Sequence, residues 1–220
     1  AVAAGTVDVT SAASGRDITV TSNGGDATLG AAVLTGSGSG FDLAVTASGD
    51  AVLGDVDYTA ITSANVFSRT GGNTGTASVR SVGGGDAMVH LDTSAKIDTL
   101  EGVGIDVTVA SGDAAFGTMT ASGGDIYAET YDGGLTVGSA STNAGRTLEL
   151  YVAGGDLTVT GTVHGSGRTH LETDGLLDGA AATLIASDDD LTLIGGDVDV
   201  GEVTAGLALD ATAARRCATT

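Results

Sequence analysis

Apolar and polar residues alternate along most of this chain in short bursts. "ITVTSNGG" from Ile18, "LAVTASG" from Leu43, "IDVTVASG" from Ile105, "IYAETYDGG" from Ile126, "LELYVAGG" from Leu148 and "LALDATA" from Leu207 each read apolar, polar, apolar, then break into small turn residues. Such alternation puts one side of a strand in a core and the other in solvent, and no stretch carries the period of an amphipathic helix. A second kind of phrase follows a Gly-Asp or similar turn and often has Gly at its fourth position: "ATLG" from Ala27, "AVLG" from Ala51, "AAFG" from Ala114, "LTVG" from Leu135 and "VDVG" from Val198, with "AMVH" from Ala87 and "LTVT" from Leu157 as variants. The pattern predicts an all-β chain built from two alternating kinds of strand.

The spacing predicts how the strands stack. Starts of the first kind advance from Ile105 to Ile126 by 21 residues, to Leu148 by 22 and to Thr169 by 21. A period near 20 with two strands per unit is that of a coiled solenoid in which each turn of chain stacks on the last. We expect a single-stranded parallel β-helix of about 20 to 24 residues per coil over residues 1–211, with 212–220 as a non-repeat tail. Earlier in the chain the Gly-bearing phrases begin at Ala27, Ala51, Ala87 and Ala114, separated by 24, 36 and 27 residues. These wider steps predict loop insertions near 55–76 and 91–104, because inward positions must stay in register. A β-sandwich is the alternative that short strands and turns also suit.

Composition supports the solenoid. There are 37 Gly, no Pro, no Trp and 3% aromatics among 220 residues, yet hydrophobic residues reach 41%. Small and branched aliphatics suit a thin, regular core. Proline would remove a ladder bond from strands paired on both sides, and Gly is expected at corners that need positive φ. A mean hydropathy of +0.25 excludes the disordered class, and no apolar run is long enough to span a bilayer.

The net charge is −20, from 28 acidic and 8 basic residues. That surface repels phosphate backbones and anionic membranes, so nucleic acid and membrane insertion are excluded as expectations. One cysteine, Cys217, allows no internal disulfide.

The phrases "GGDLTVTGTV", "SGDAVLGDV" and "NAGRTLELYVAGGDLTV" resemble the degenerate repeats of filamentous haemagglutinin-like exoproteins, the long adhesins of two-partner secretion systems. The resemblance covers about residues 5–211 and rests on pattern and composition. It implies a right-handed parallel β-helix shaft, secreted and displayed on a bacterial surface. The amino-terminal secretion domain of such proteins is absent, and "ARRCATT" does not resemble their repeat, so the chain is expected to be an internal piece of shaft.

Catalytic patterns are scarce. No Ser is framed as G-x-S-x-G, "GSGSG" (36–40) lacks the Lys of a phosphate loop, and "GGNTGTASV" (71–79) has Thr76 where a calcium nonapeptide needs Asp. His90, His164 and His170 lie in different phrases and are expected as solvated surface residues, with His164 and His170 near enough to meet across a corner. Asp188, Asp189 and Asp190 form the densest acidic run and are the candidate oxygen ligands for Ca²⁺, the one cofactor considered. Gly-Asp corners at Asp26, Asp50, Asp86, Asp113, Asp125, Asp156 and Asp197 are expected to stack into an acidic stripe that salt or cations would screen. The 55–76 excursion gathers Asp57, Tyr58, Phe67 and Arg69 as the candidate ligand contacts, and Tyr127 and Tyr151 fall on equivalent or neighbouring positions of successive coils.

The function expected from all this is structural and non-catalytic: a rigid extracellular shaft of an adhesin-like exoprotein, or a filament subunit. Its partners would be neighbouring repeats or copies of itself end to end, and host or cell-surface glycans or proteins. The alternatives are a β-helix polysaccharide-active enzyme or carbohydrate-binding module, and, further off, an ice- or mineral-binding solenoid with ranks of Thr.

Overall fold

The computed structural model describes residues 2–11, 17–22, 27–38, 41–47, 51–61, 63–69, 77–82, 86–91 and 95–213. Among these residues every strand pairing is parallel and there is no helix, so the chain is a β-solenoid and not a sandwich. It is wound into two long sheets, with each coil adding one layer to both. The first sheet runs through Val2–Ser11, Ala27–Gly38, Ala51–Ile61, Ala77–Val82, Ala95–Gly102, Ala114–Ala121, Leu135–Thr142, the pair Leu157–Val159 and Thr162–Gly165, Leu176–Ala186 and Asp197–Ala205. The second runs through Asp17–Ser22, Phe41–Ala47, Ser63–Arg69, Asp86–Leu91, Ile105–Val109, Ile126–Thr130, Leu148–Val152, Thr169–Thr173, Leu191–Gly195 and Leu209–Ala213.

The period near 20 holds. Ile105, Ile126, Leu148, Thr169, Leu191 and Leu209 are partners in consecutive strands, separated by 21, 22, 21, 22 and 18 residues. Alternate residues of these strands stack inward into unbroken aliphatic columns such as Val107, Ala128, Leu150, Leu171 and Leu193, all fully buried. The inward hydroxyls of three buried threonines are satisfied by main-chain carbonyls: Thr130 donates to Gly133 O at 3.2 Å, Thr169 to Ile185 O at 3.1 Å and Thr173 to Gly155 O at 2.5 Å.

The strands of the first sheet are bent. In Ala114–Ala121, Ala114 and Phe116 are buried, Gly117 and Thr118 both face out, and Met119 and Ala121 are buried again. Two outward residues in succession mark a change of side, so each coil has three sides: two from the bent strand and one from the second sheet. Gly at the corners meets the expected need for positive φ, which among the described residues occurs at Gly112, Gly133 and Gly145, and at this bend Gly recurs in successive coils for a second reason. At the bend the demand is close approach: a Cβ on Gly138 would lie 2.3 Å from Gly117 O, and one on Gly161 would lie 2.4 Å from Gly138 O.

The two expected insertions hold coil strands instead. Within 55–76, the end of Ala51–Ile61 pairs in the first sheet and Ser63–Arg69 in the second; within 91–104, Ala95–Gly102 pairs in the first. Residues 62, 70–76 and 92–94 lie outside the described residues. The apparent step of 36 arose because "AMVH" belongs to the other sheet: Ala87 is the partner of Ala64 and Ile105. Followed along the first sheet alone, Val56, Val79, Leu100, Met119, Ala140, Val163, Leu184 and Val203 are consecutive partners, 19 to 23 residues apart. At the other boundary, Leu209–Ala213 carries the coil two residues past 211, and 214–220 lie outside the described residues.

The Gly-Asp corners act as fasteners between coils. Asp113 Oδ1 accepts from Gly134 N at 2.9 Å, Asp125 Oδ1 from Thr147 N at 2.8 Å and Asp156 Oδ1 from Leu176 N at 2.7 Å, in each case one coil further along the chain. They do not form one stripe. Asp113, Asp156 and Asp197 share one corner with Gly134 and Leu176 between them, whereas Asp86 and Asp125 share another with Gly104 between them. Asp113, Asp156 and Asp197 are thus successively two layers apart, roughly 10 Å, about one Debye length, which weakens their mutual repulsion. Asp26 and Asp50 lie outside the described residues.

Candidate functional site

The outward side of the second sheet is unlike the other two sides. Over the coils from Ala114 to Thr173 the first sheet turns out mostly small residues: Ala115, Thr136 and Thr158 on one side, Thr118, Ser139, Thr120 and Ser141 around the bend, with His164 following Ser141 in its column. The second sheet turns out Tyr127 and Glu129, then Glu149 and Tyr151, then His170 and Glu172. Parallel pairing in register places Tyr127, Glu149 and His170 in one column and Glu129, Tyr151 and Glu172 in the next. Tyr131 closes the first row and is 52% exposed; Arg168 opens the third. Asp106 is the partner of Tyr127 in the preceding coil.

These side chains hold one another. Tyr127 Oη donates to Glu129 Oε2 at 2.8 Å, and Tyr131 bonds the same carboxylate. Burial, followed by the hydrogen bond and charge of Glu129, lifts the Tyr127 phenol far above its ordinary pKa, and the Glu129 hydrogen bond lifts that of Tyr131. In the third row Arg168 Nη2 is 2.9 Å from His170 Nδ1, and His170 Nε2 is 2.8 Å from Glu172 Oε2. A guanidinium can only donate, so Nδ1 accepts and the imidazole proton is on Nε2, pointing at Glu172. Arg168 Nη1 also lies 3.7 Å from Glu149 Oε1, which ties the second row to the third. Chemically this is a ledge of three aromatic rings with their hydroxyls, three carboxylates, an imidazole and a guanidinium.

The residues singled out from sequence lie elsewhere. Asp57 and Tyr58 are on the first sheet, in register with Arg80 and Ser81, whereas Phe67 and Arg69 are on the second, so the fold does not gather them into one loop. The Asp188–Asp190 run forms the corner before Leu191–Gly195. Asp189 Oδ1 accepts from Asp190 N at 2.9 Å, and main-chain groups of all three bond neighbouring coils. Among the described residues no group of three or more His, Cys, Asp or Glu is arranged to hold a metal ion, this run included. His164 and His170 do not bond each other: His164 Nε2 lies 2.5 Å from Ser187 Oγ, and His170 is held in the row above. Tyr127 and Tyr151 are diagonal neighbours in adjacent columns.

Reading the chain as text missed Glu129, Glu149, Arg168, His170 and Glu172. The signal was present in "IYAETY", "TLELY" and "RTHLE", whose polar positions superpose at the 21- and 22-residue steps. No family model matches this chain, and neither does any curated protein or solved structure.

Proposed function

We propose that this chain is a rigid, non-catalytic β-solenoid shaft, a length of a secreted, surface-displayed adhesin-like exoprotein or the subunit of an extracellular filament. The observation that carries this reading is the continuous register of both sheets. Ten strands of the second sheet follow one another as parallel neighbours, and at about 4.8 Å per layer they extend roughly 45 Å. Every layer is bonded to the next by ladder bonds, reinforced at three junctions by corner aspartates, and a single aliphatic core runs through the well-buried coils. Bending such a rod means stretching ladder bonds on one side, so it transmits position over distance. The repeat resemblance and the acidic surface suit display outside the cell.

The last described coil supports end-to-end contact. Asp197–Ala205 and Leu209–Ala213 have a strand partner on one side only among the described residues. Leu209 continues the buried column of Ile105 to Leu191, yet it is 53% exposed. One more coil, from further chain or from a second copy, would cover it. Negative-stain electron microscopy of the 220-residue chain, with and without Ca²⁺, tests the reading. Straight rods or rod-built fibres are expected; compact globules would overturn it, and fibres unchanged by Leu209→Asp would remove this end from the contact.

A further inference from the structure

The other two sides carry mostly small residues on their outside, with His164, Asp178 and Ile185 as larger ones. The second-sheet side instead concentrates three of the chain's five Glu and three of its four Tyr into successive coils. Stability does not call for them. Exposed ion pairs such as Arg168 with Glu149 contribute little, and fixing long side chains costs conformational entropy. The ledge is also pre-ordered by its own hydrogen bonds, the arrangement that lowers the entropic cost of binding.

We propose that this side, from Tyr127 to Glu172, is a carbohydrate-binding surface for an extended, uncharged polysaccharide lying along the solenoid axis. Tyr127 reaches the carboxylate two residues further along its own strand, which lays its side chain along the sheet, and in this proposal its ring is the platform for the apolar face of a sugar ring. Glu129 and Glu172 are each engaged by a protein donor that fixes their direction, and Glu149 lies 3.7 Å from the Arg168 guanidinium. Their remaining lone pairs accept from the neighbouring hydroxyls of a sugar, and Arg168 supplies donors. Charge selects the class: Asp106, Glu129, Glu149 and Glu172 outnumber the permanent cations Arg168 and, at the adjoining corner, Arg146, so uronic and sulfated glycans are repelled. The in-register rows, repeating at about 4.8 Å, are close to the advance of one hexose in an extended chain. The surface binds without making or breaking a bond. This inference goes beyond the shaft reading and survives or fails independently of it.

The test is affinity electrophoresis of the intact chain in native gels containing hydroxyethylcellulose, xyloglucan, galactomannan or dextran, with polygalacturonate and heparin as anionic comparisons. Retardation by at least one of the neutral polymers is expected. The double variant Tyr127→Ala, Tyr151→Ala should then run as in polymer-free gel, and Glu149→Gln, which keeps the side-chain shape, should lose much of the retardation. Circular dichroism melts on both variants separate loss of binding from loss of fold. Three results would overturn the proposal: no retardation by any neutral polymer, retardation only by the anionic ones, or retardation undiminished in folded double variant.

Discussion

Replacing Gly138 by Ala tests the packing rule at the bend of the first sheet. The added Cβ would sit 2.3 Å from Gly117 O, whereas real Cβ contacts stay beyond 3.0 Å, so the two coils must part locally by at least 0.7 Å. The ladder bonds that join Ala114–Ala121 to Leu135–Thr142 on either side of the bend do not survive a displacement of that size. The loss of one or two such bonds, about 1 kcal/mol each, combines with the usual cost of overpacking, about 1–3 kcal/mol. Against this, Ala restricts the unfolded chain and returns about 0.4–1 kcal/mol. The net expectation is destabilisation of roughly 2–3 kcal/mol. Gly123 is the control: a Cβ there meets only Val103 Cγ1, at 3.6 Å, so Gly123→Ala should be neutral or slightly stabilising. Urea unfolding followed by circular dichroism reads both, with midpoints compared because a stacked array need not unfold in two states. Gly138→Ala as stable as the parent, or equal to Gly123→Ala, would refute the close-approach explanation.

Leu150 is fully buried between Ala128 and Leu171, and Leu150→Ala should cost about 2–5 kcal/mol in the same assay. Asp156→Ala removes the acceptor for Leu176 N and should cost roughly 1 kcal/mol, with faster hydrogen exchange at the Leu176 amide; Asp156→Asn, which keeps the acceptor oxygen, should retain most of the protection. The raised phenols carry a pH signature. Because the folded state holds the Tyr127 and Tyr131 protons more tightly than the unfolded chain, their contribution is complete below the ordinary tyrosine value of 10.0 and declines as pH rises above it. Phenolate absorbance should therefore rise late for these two tyrosines, and Tyr127→Phe together with Tyr131→Phe should flatten the alkaline loss of stability; simultaneous titration of all four at the ordinary value would contradict the Glu129 contacts.

How much was legible varies with the range of the interaction. Alternation, the 21- and 22-residue steps and the absence of Pro announced the parallel coil, because a strand's two faces and a coil's length are local properties that inward residues must respect at every turn. Sheet membership was less visible. "AMVH" looks like a Gly-bearing phrase by its small first residue and preceding Gly-Asp, yet Ala87 pairs with Ala64 and Ile105; a four-residue string carries no mark of which side of the coil it occupies. The same ambiguity made two paired segments look like insertions.

The sequence by itself determined the all-β class, the repeat length and the aliphatic core, each of which follows from periodicity and composition. Only the tertiary structure decided the three-sided cross-section, the close approach that keeps Gly at the bend, the fastening role of the corner aspartates and the meeting of Tyr127, Glu129, Glu149, Tyr151, Arg168, His170 and Glu172. The physical reason is that these all depend on register between coils. Residues about 21 positions apart become neighbours one layer away, and a shift of one residue would send each of them to the opposite face.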